Sequence, residues 1–302
     1  MNNKDCDQIG FTKMHGAGND YIYINGTEQC PANLSQLAIH IADRHFGVGG
    51  DGLVVILPSD VADFRMRMFN ADGSEAQMCG NASRCVAKYL HDTGLTDKTD
   101  ISLETLAGIK ILHLNLDAEG DVESVTVNMG RPVLDPARVP VMPTAITPDG
   151  VAVAELREGG RYFAAIAVGM GNPHGVIFTD QITDAEVLGL GPKFETASVW
   201  PEKSNIEFVR VIDPHTVEMR VWERGSGETL ACGTGSCATA VAGILTGRLK
   251  SPVSVRLRGG SLRIEWPDPN AEVLMTGPAA TVAAGHYRLP RELAKPPQPP
   301  QP

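Results

Sequence analysis

Two cysteines stand in matching surroundings, Met78-Cys79-Gly80-Asn81 and Ala231-Cys232-Gly233-Thr234, and a helix-forming segment follows each. A thiol at that place meets the unpaired N–H groups and the positive dipole end of a helix. Those features lower a thiol pKa and suit the same backbone to an anion such as a carboxylate. The adjacent glycines let the main chain approach a ligand closely. Two such thiols facing one another are what inversion of a tetrahedral α-carbon without a cofactor requires: one base takes the proton from one face, and one acid returns a proton to the other. Cysteine, with an ordinary pKa near ~8.5, can be tuned so that thiol and thiolate coexist near neutrality. The two helix starts would hold the carboxylate and stabilise the charge that develops on it, in a cleft whose closure excludes water.

The other four cysteines, Cys6, Cys30, Cys85 and Cys237, read as small packed side chains. No pair of cysteines has CxxC spacing and no HExxH occurs, so neither a zinc ribbon nor a thioredoxin-like site is indicated, and no metal is expected.

The matching surroundings belong to a longer repeat. Cys79 and Cys232 are 153 positions apart, and so are Met66-Arg67-Met68-Phe69 and Met219-Arg220-Val221-Trp222. The same shift pairs Gly16, Gly18 and Asn19 with Gly169, Gly171 and Asn172, Leu53–Ile56 (LVVI) with Ile206–Val209 (IEFV), and Gly94 with Gly247. A register that matches Gly, Asn and Cys as well as apolar positions indicates duplication. Each copy is read as one domain, residues 1–130 and 131–277, with a return strand at about 278–290 completing the first and a proline-rich disordered tail at 291–302. A proline-dense stretch from Pro132 to Pro148 reads as the inter-domain connection.

The elements that position the cysteines follow from local pattern. Phe64–Phe69, Ser124–Met129, Val217–Trp222 and Val253–Leu257 alternate or are β-branched and read as strands. Ala82–His91 and Gly235–Thr246 read as helices closed by Gly94 and Gly247. The second has almost no polar face, so it must be buried all round. The expected fold is α+β: two pseudo-symmetric domains, each a curved, mainly antiparallel sheet or barrel wrapped around one central helix, with the active site in the inter-domain cleft.

Bulk properties narrow the partners. The chain has 302 residues, 42% of them hydrophobic and 21% charged, with a formal charge of −10, so nucleic acid and anionic membrane surfaces are poor partners. No apolar run approaches the ~18 residues of a membrane span, and the polar start lacks a signal peptide's apolar core; a cytoplasmic location is expected.

Taken together, His15-Gly16-Ala17-Gly18-Asn19-Asp20-Tyr21, Phe69-Asn70-Ala71-Asp72-Gly73-Ser74-Glu75, Cys79-Gly80-Asn81, Gly171-Asn172-Pro173-His174, Ser204-Asn205, Glu223-Arg224 and Ala231-Cys232-Gly233-Thr234-Gly235-Ser236 resemble the diaminopimelate epimerases. The resemblance runs from about Phe11 to about Leu289. It implies interconversion of LL- and meso-diaminopimelate toward lysine and peptidoglycan, a small-molecule substrate, no pyridoxal phosphate or other cofactor, and a homodimer. It implies Cys79 and Cys232 as the acid/base pair, with Gly80, Asn81, Gly233 and Thr234 binding the carboxylate at the reacting centre. Arg224 would fork onto the distal carboxylate, with Asn70, Asn172 and Asn205 fixing the distal end. Asn19 and Glu223 would line the reacting end, Glu223 meeting the substrate ammonium, and His174 and Glu223 would tune the thiols.

One position departs from a common family variant: where many members carry glutamine, this chain reads Gly52, the repeat equivalent of Asn205, so no side-chain contact can come from there. Gly47-Val48-Gly49-Gly50-Asp51-Gly52 matches GxGxxG but precedes a strand, so it is not a dinucleotide fingerprint. Proline racemases, which also use two cysteines, leave Arg224 and the asparagines without work. A thiol redox protein or a non-catalytic amino-acid binding module are readings from other classes; the module would not need paired cysteines.

Overall fold

The computed structural model describes residues 8–28, 30–147, 150–290 and 292–293. Cys6 and nearly all of the proline-rich tail lie outside the described residues.

The chain forms two compact units, one running to Val125 and resuming at Pro278, the other Thr126–Gly277. In the first, β1 (Gln8–Gly16), β2 (Asn19–Asn25), α1 (Leu34–Ala42), β3 (Gly52–Leu57), β4 (Phe64–Asn70), β5 (Glu75–Ala76), α2 (Gly80–Asp92), β6 (Asp100–Thr105) and β7 (Gly108–Leu116) follow in order, and the unit boundary falls within β8 (Val122–Asn128). The second holds β9 (Ala145–Ile146), β10 (Ala152–Glu158), β11 (Arg161–Gly169), β12 (Pro173–Phe178), α3 (Asp184–Glu195), β13 (Asn205–Asp213), β14 (Thr216–Glu223), β15 (Gly227–Glu228), α4 (Gly233–Leu245), β16 (Val253–Leu257), β17 (Gly260–Glu265) and β18 (Leu274–Gly277). The last strand, β19 (Ala280–Arg288), returns to pair antiparallel with β1, as β10 pairs with β11 in the second unit.

The pairing registers repeat with the sequence. Tyr21 lies opposite Gly52 in the parallel β2–β3 pair, and His174 opposite Asn205 in β12–β13. Phe69 lies opposite Glu75, and Trp222 opposite Glu228. Even the cross-strand ion pair recurs, Arg67 Nε to Glu75 and Arg220 Nε to Glu228, both at 2.7 Å. Beyond the helices the shift falls by one: Thr105 faces Gly108 where Leu257 faces Gly260, so the second copy is one residue shorter there.

Among the described residues each unit carries a second helix besides the expected central one. The extra ones, α1 and α3, pack on the other side of the sheet: Leu37 and Ile41 join Ile22, Leu53 and Val55, while Val187 and Phe194 join Ile177, Ile206 and Phe208. Burial on both faces is why β3 reads as an unbroken apolar run. Low propensity hides α3, which contains Gly189, Gly191 and Pro192, although Thr183 and Glu186 form a full capping box at its start. The anticipated helices begin two residues earlier than read, at the glycine after each cysteine. Both end in the same hydrogen-bonded pattern: Gly94 and Gly247 adopt φ of 68° and 69°, and Leu95 and Arg248 donate back to Leu90 and Gly243. The proline-dense stretch is part of the second unit, with Val139 and Val141 buried in its core.

Candidate active site

Strand alternation decides which side chains share a face with each cysteine-bearing helix. In β13, Ile206 and Phe208 point to the α3 core, which leaves Asn205, Glu207 and Val209 on the α4 side. In β3, Leu53 and Val55 point to α1, leaving Gly52, Val54 and Ile56 on the α2 side.

In the first unit Cys79 is the N-cap of α2, with extended backbone, and is partly exposed. Its Sγ lies 3.4 Å from Asn19 Oδ1, and the Asn81 amide nitrogen is also 3.4 Å from that oxygen. The amide is held in this sense from behind, because Asn19 Nδ2 donates to Asp51 Oδ2 at 2.7 Å. Asp51 also accepts from the Asp20 N–H and from Arg44. The glycine-rich segment rejected as a dinucleotide motif therefore delivers the carboxylate that orients Asn19. Asn70, at the end of β4, donates to Ser74 Oγ at 3.0 Å. Opposite it, a Cβ on Gly52 would lie 2.0 Å from the Phe69 carbonyl and 2.8 Å from the Tyr21 ring, so this backbone excludes any side chain there. Farther along α2, the buried Arg84 donates to Asn81 Oδ1 at 3.0 Å.

In the second unit Cys232 is the N-cap of α4 and is buried. Its Sγ accepts from the Gly235 N–H at 3.4 Å and lies 3.5 Å from Thr234 Oγ1. Asn172 Nδ2 reaches Thr234 Oγ1 at 3.5 Å, as Asn19 reaches Asn81 in the first unit. His174 is fully buried, with Nδ1 2.7 Å from Glu207 Oε1 and Nε2 2.9 Å from Asn172 Oδ1. Glu223 accepts from the Thr229 hydroxyl. Burial raises its pKa, opposed by the Thr229 hydrogen bond, by His174 and by a hydrogen bond with Cys232.

The expectation that a helix start lowers the thiol pKa does not hold for Cys232. Burial pushes this thiol well above its ordinary value, the charges of Glu223 and Glu207 push it further, and the Thr234 and Gly235 hydrogen bonds offset only part. Desolvation and two carboxylates outweigh one helix end. These surroundings favour the protonated thiol, the form suited to act as an acid.

Two expected distal contacts are occupied by the protein itself. Asn205 is buried; its Nδ2 donates to the Pro173 carbonyl at 2.9 Å, and its Oδ1 accepts from the Arg224 N–H at 2.9 Å. It ties together the segments bearing His174 and Arg224. The exposed Arg224 guanidinium donates to the Glu202 carbonyl at 3.1 Å. Glu207, Asp51 and Gly235 escaped the sequence reading. Glu207 had a signal: within the repeated LVVI and IEFV runs it is the one charged residue, standing where the first copy has Val54. Among the described residues no group of three or more His, Cys, Asp or Glu is placed to hold a metal ion, and no helix is long and apolar enough to cross a membrane.

A family model described as diaminopimelate epimerase matches residues 11–134 and 166–282. The chain is 52% identical over 285 residues to a curated diaminopimelate epimerase of Desulfovibrio desulfuricans, covering 93% of this chain and 99% of that one. It is 50% identical to one of Acetivibrio thermocellus, covering 92% and 98%. Among solved structures, a hydroxyproline epimerase of Agrobacterium vitis superposes with a TM-score of 0.69 at 15% identity, covering 97% and 96%. A methylitaconate-delta-isomerase superposes at 0.66 and 15%, covering 97% and 99%. At that identity these structures share the fold alone.

Proposed function

The chain belongs to the diaminopimelate epimerase family, and from that premise we propose that it interconverts LL- and meso-diaminopimelate with Cys79 and Cys232 as its two acid/base groups. The observation that carries the mechanism is the equivalent placement of the two thiols, each the N-cap of its unit's central helix. The reading requires both to reach one α-carbon, on opposite faces. A thiolate takes the α-proton, and the electron pair left on carbon delocalises into the carboxylate. The other thiol then gives its proton to the opposite face, so charge and protons balance and the thiols have exchanged roles. The first-turn amides of Gly80, Asn81, Gly233 and Thr234 head the two helices, where an anion is favoured. Asn19 and Glu223 stand beside Cys79 and Cys232 respectively, and Glu223 is the acceptor suited to the substrate ammonium. For the distal end the reading assigns Asn70, Asn172, Asn205 and Arg224, with Asn205 also holding the Arg224 main chain. A homodimer and a cytoplasmic location belong to the same reading and are supported by the family resemblance.

The test is deuterium incorporation at the α-carbon of LL-diaminopimelate in D2O, with proline as the control. Exchange with diaminopimelate alone is expected; exchange with proline alone would establish the proline racemase alternative. Cys79→Ser and Cys232→Ser should each reduce epimerisation by about 10³-fold or more while diaminopimelate still binds. Full turnover in either variant refutes the two-thiol mechanism.

A further inference from the structure

In β13, the fully buried Glu207 lies between Ile206 and Phe208, and its Oε2 has no hydrogen-bond partner among the described residues. A carboxylate taken out of water with one oxygen unsatisfied is unfavourable, and the first unit fills the equivalent place with Val54. Stability alone therefore does not account for Glu207. Its Oε1 is 2.7 Å from His174 Nδ1. A Cβ placed on Gly235 would lie 2.6 Å from that oxygen and 3.2 Å from Cys232 Sγ, so carboxylate and sulfur flank the same bare stretch of helix. In the first unit Ala82 stands at this position.

We infer that Glu207 is a positioning residue for the second half-site: its carboxylate holds the His174 ring with a proton on Nδ1, so that Nε2 is directed to the Asn172 amide beside Thr234. The inference rests on the epimerase reading only for what the half-site is used for.

With Glu207 ionised, two arrangements fit the contacts of His174, and both carry a proton on Nδ1. With the Asn172 oxygen toward Nε2, the ring donates on both sides, to Asn172 and to Glu207. With the amide reversed, Nε2 accepts from Asn172 while Nδ1–H donates to Glu207. A ring protonated on Nε2 alone would require Glu207 itself to carry a proton. The charge of Glu207 also bears on Cys232. The groups facing that thiol are Glu223 from β14, Glu207 from β13, and the Thr234 hydroxyl and Gly235 N–H of α4; His174 from β12 faces Glu207 and Glu223. The two carboxylates both favour the protonated thiol.

Long-range proton–nitrogen NMR of the full chain labelled with ¹⁵N-histidine tests the arrangement directly, with the His174 signals assigned by their loss in His174→Gln. The expected result is a proton on Nδ1 at neutral pH in the wild-type protein, and a shift to the Nε2–H tautomer in Glu207→Val, which removes the acceptor. A wild-type ring protonated on Nε2 alone overturns the inference. Glu207→Gln keeps the shape and removes the charge, so the limb of the kcat/KM pH profile that reports Cys232 should move about one pH unit or more toward acid. An unmoved profile in a folded Glu207→Gln variant also overturns it. If neither variant folds, the wild-type spectrum alone decides. A protein with the expected ring but no diaminopimelate exchange would refute the epimerase reading and leave the positioning role standing.

Discussion

The two half-sites have one backbone plan and different side chains around the thiol. Each places a cysteine at the N-cap of a buried helix and an asparagine beside the helix start, Asn19 at the first residue of β2 and Asn172 just before β12. Cys79 Sγ lies against a neutral amide oxygen, and the charges of Asp51, Asp20, Arg44 and Lys13 lie one step behind it. Around Cys232 two carboxylates and a buried imidazole stand within the site itself, and the thiol is more deeply buried. Duplication supplied geometry, and divergence of neighbouring side chains then raised the proton affinity of Cys232. A two-base epimerase needs one thiol protonated while the other is not, and unequal surroundings bias which one holds the proton.

Exchanging residues between the copies should break this comparison most visibly at Gly235 and Ala82. Gly235→Ala drives a methyl group into Glu207 and Cys232, and should lower kcat/KM by about a hundredfold, with a stability loss of roughly 1–3 kcal/mol. The reciprocal Ala82→Gly should cost about 1 kcal/mol of helix stability and leave turnover within a few fold of wild type. Steady-state kinetics with denaturant unfolding compares the two; equal kinetic effects would mean that the asymmetry at Glu207 is without consequence. Next in size is Gly52→Asn, which installs the second unit's residue in the first. Its Cβ meets the Phe69 carbonyl, so destabilisation of roughly 1–3 kcal/mol is expected from urea unfolding. Full stability there would show that β3 and β4 separate readily.

The smallest effect is on the pH dependence of stability. Burial raises the Glu223 pKa, so the folded state binds this proton more tightly than the unfolded chain does. Charging Glu223 therefore opposes folding above the raised value, and the penalty is relieved as pH falls toward the unfolded value near ~4.3. Glu223→Gln should accordingly melt at a slightly higher temperature than wild type at pH 8, with the difference gone by about pH 4. A variant less stable than wild type at pH 8 would mean that the contacts of the charged form with Thr229 and His174 outweigh its burial.

Much of this molecule is legible as one-dimensional pattern. The shift of 153 positions identifies the duplication, the paired thiols and the asparagine beside each helix start, since a backbone that must close the same turn tolerates neither insertion nor deletion there. The apolar segment after Cys232 announces a buried helix because no polar face is available to meet water. What depends on packing across strands stayed hidden. Glycines and a proline mask α3, which is stabilised by Val187 and Phe194 against the sheet and by its capping box. Asn205 reads as a ligand contact, yet hydrogen bonds from two distant segments occupy it. Above all, the state of a cysteine is a sum over neighbours. Sequence determined that Cys79 and Cys232 occupy equivalent places; only the tertiary structure decided that one faces Asn19 and the other faces Glu223 and Glu207. Proton affinity depends on burial and on charges brought close by strands remote in the chain, and no local pattern records those distances.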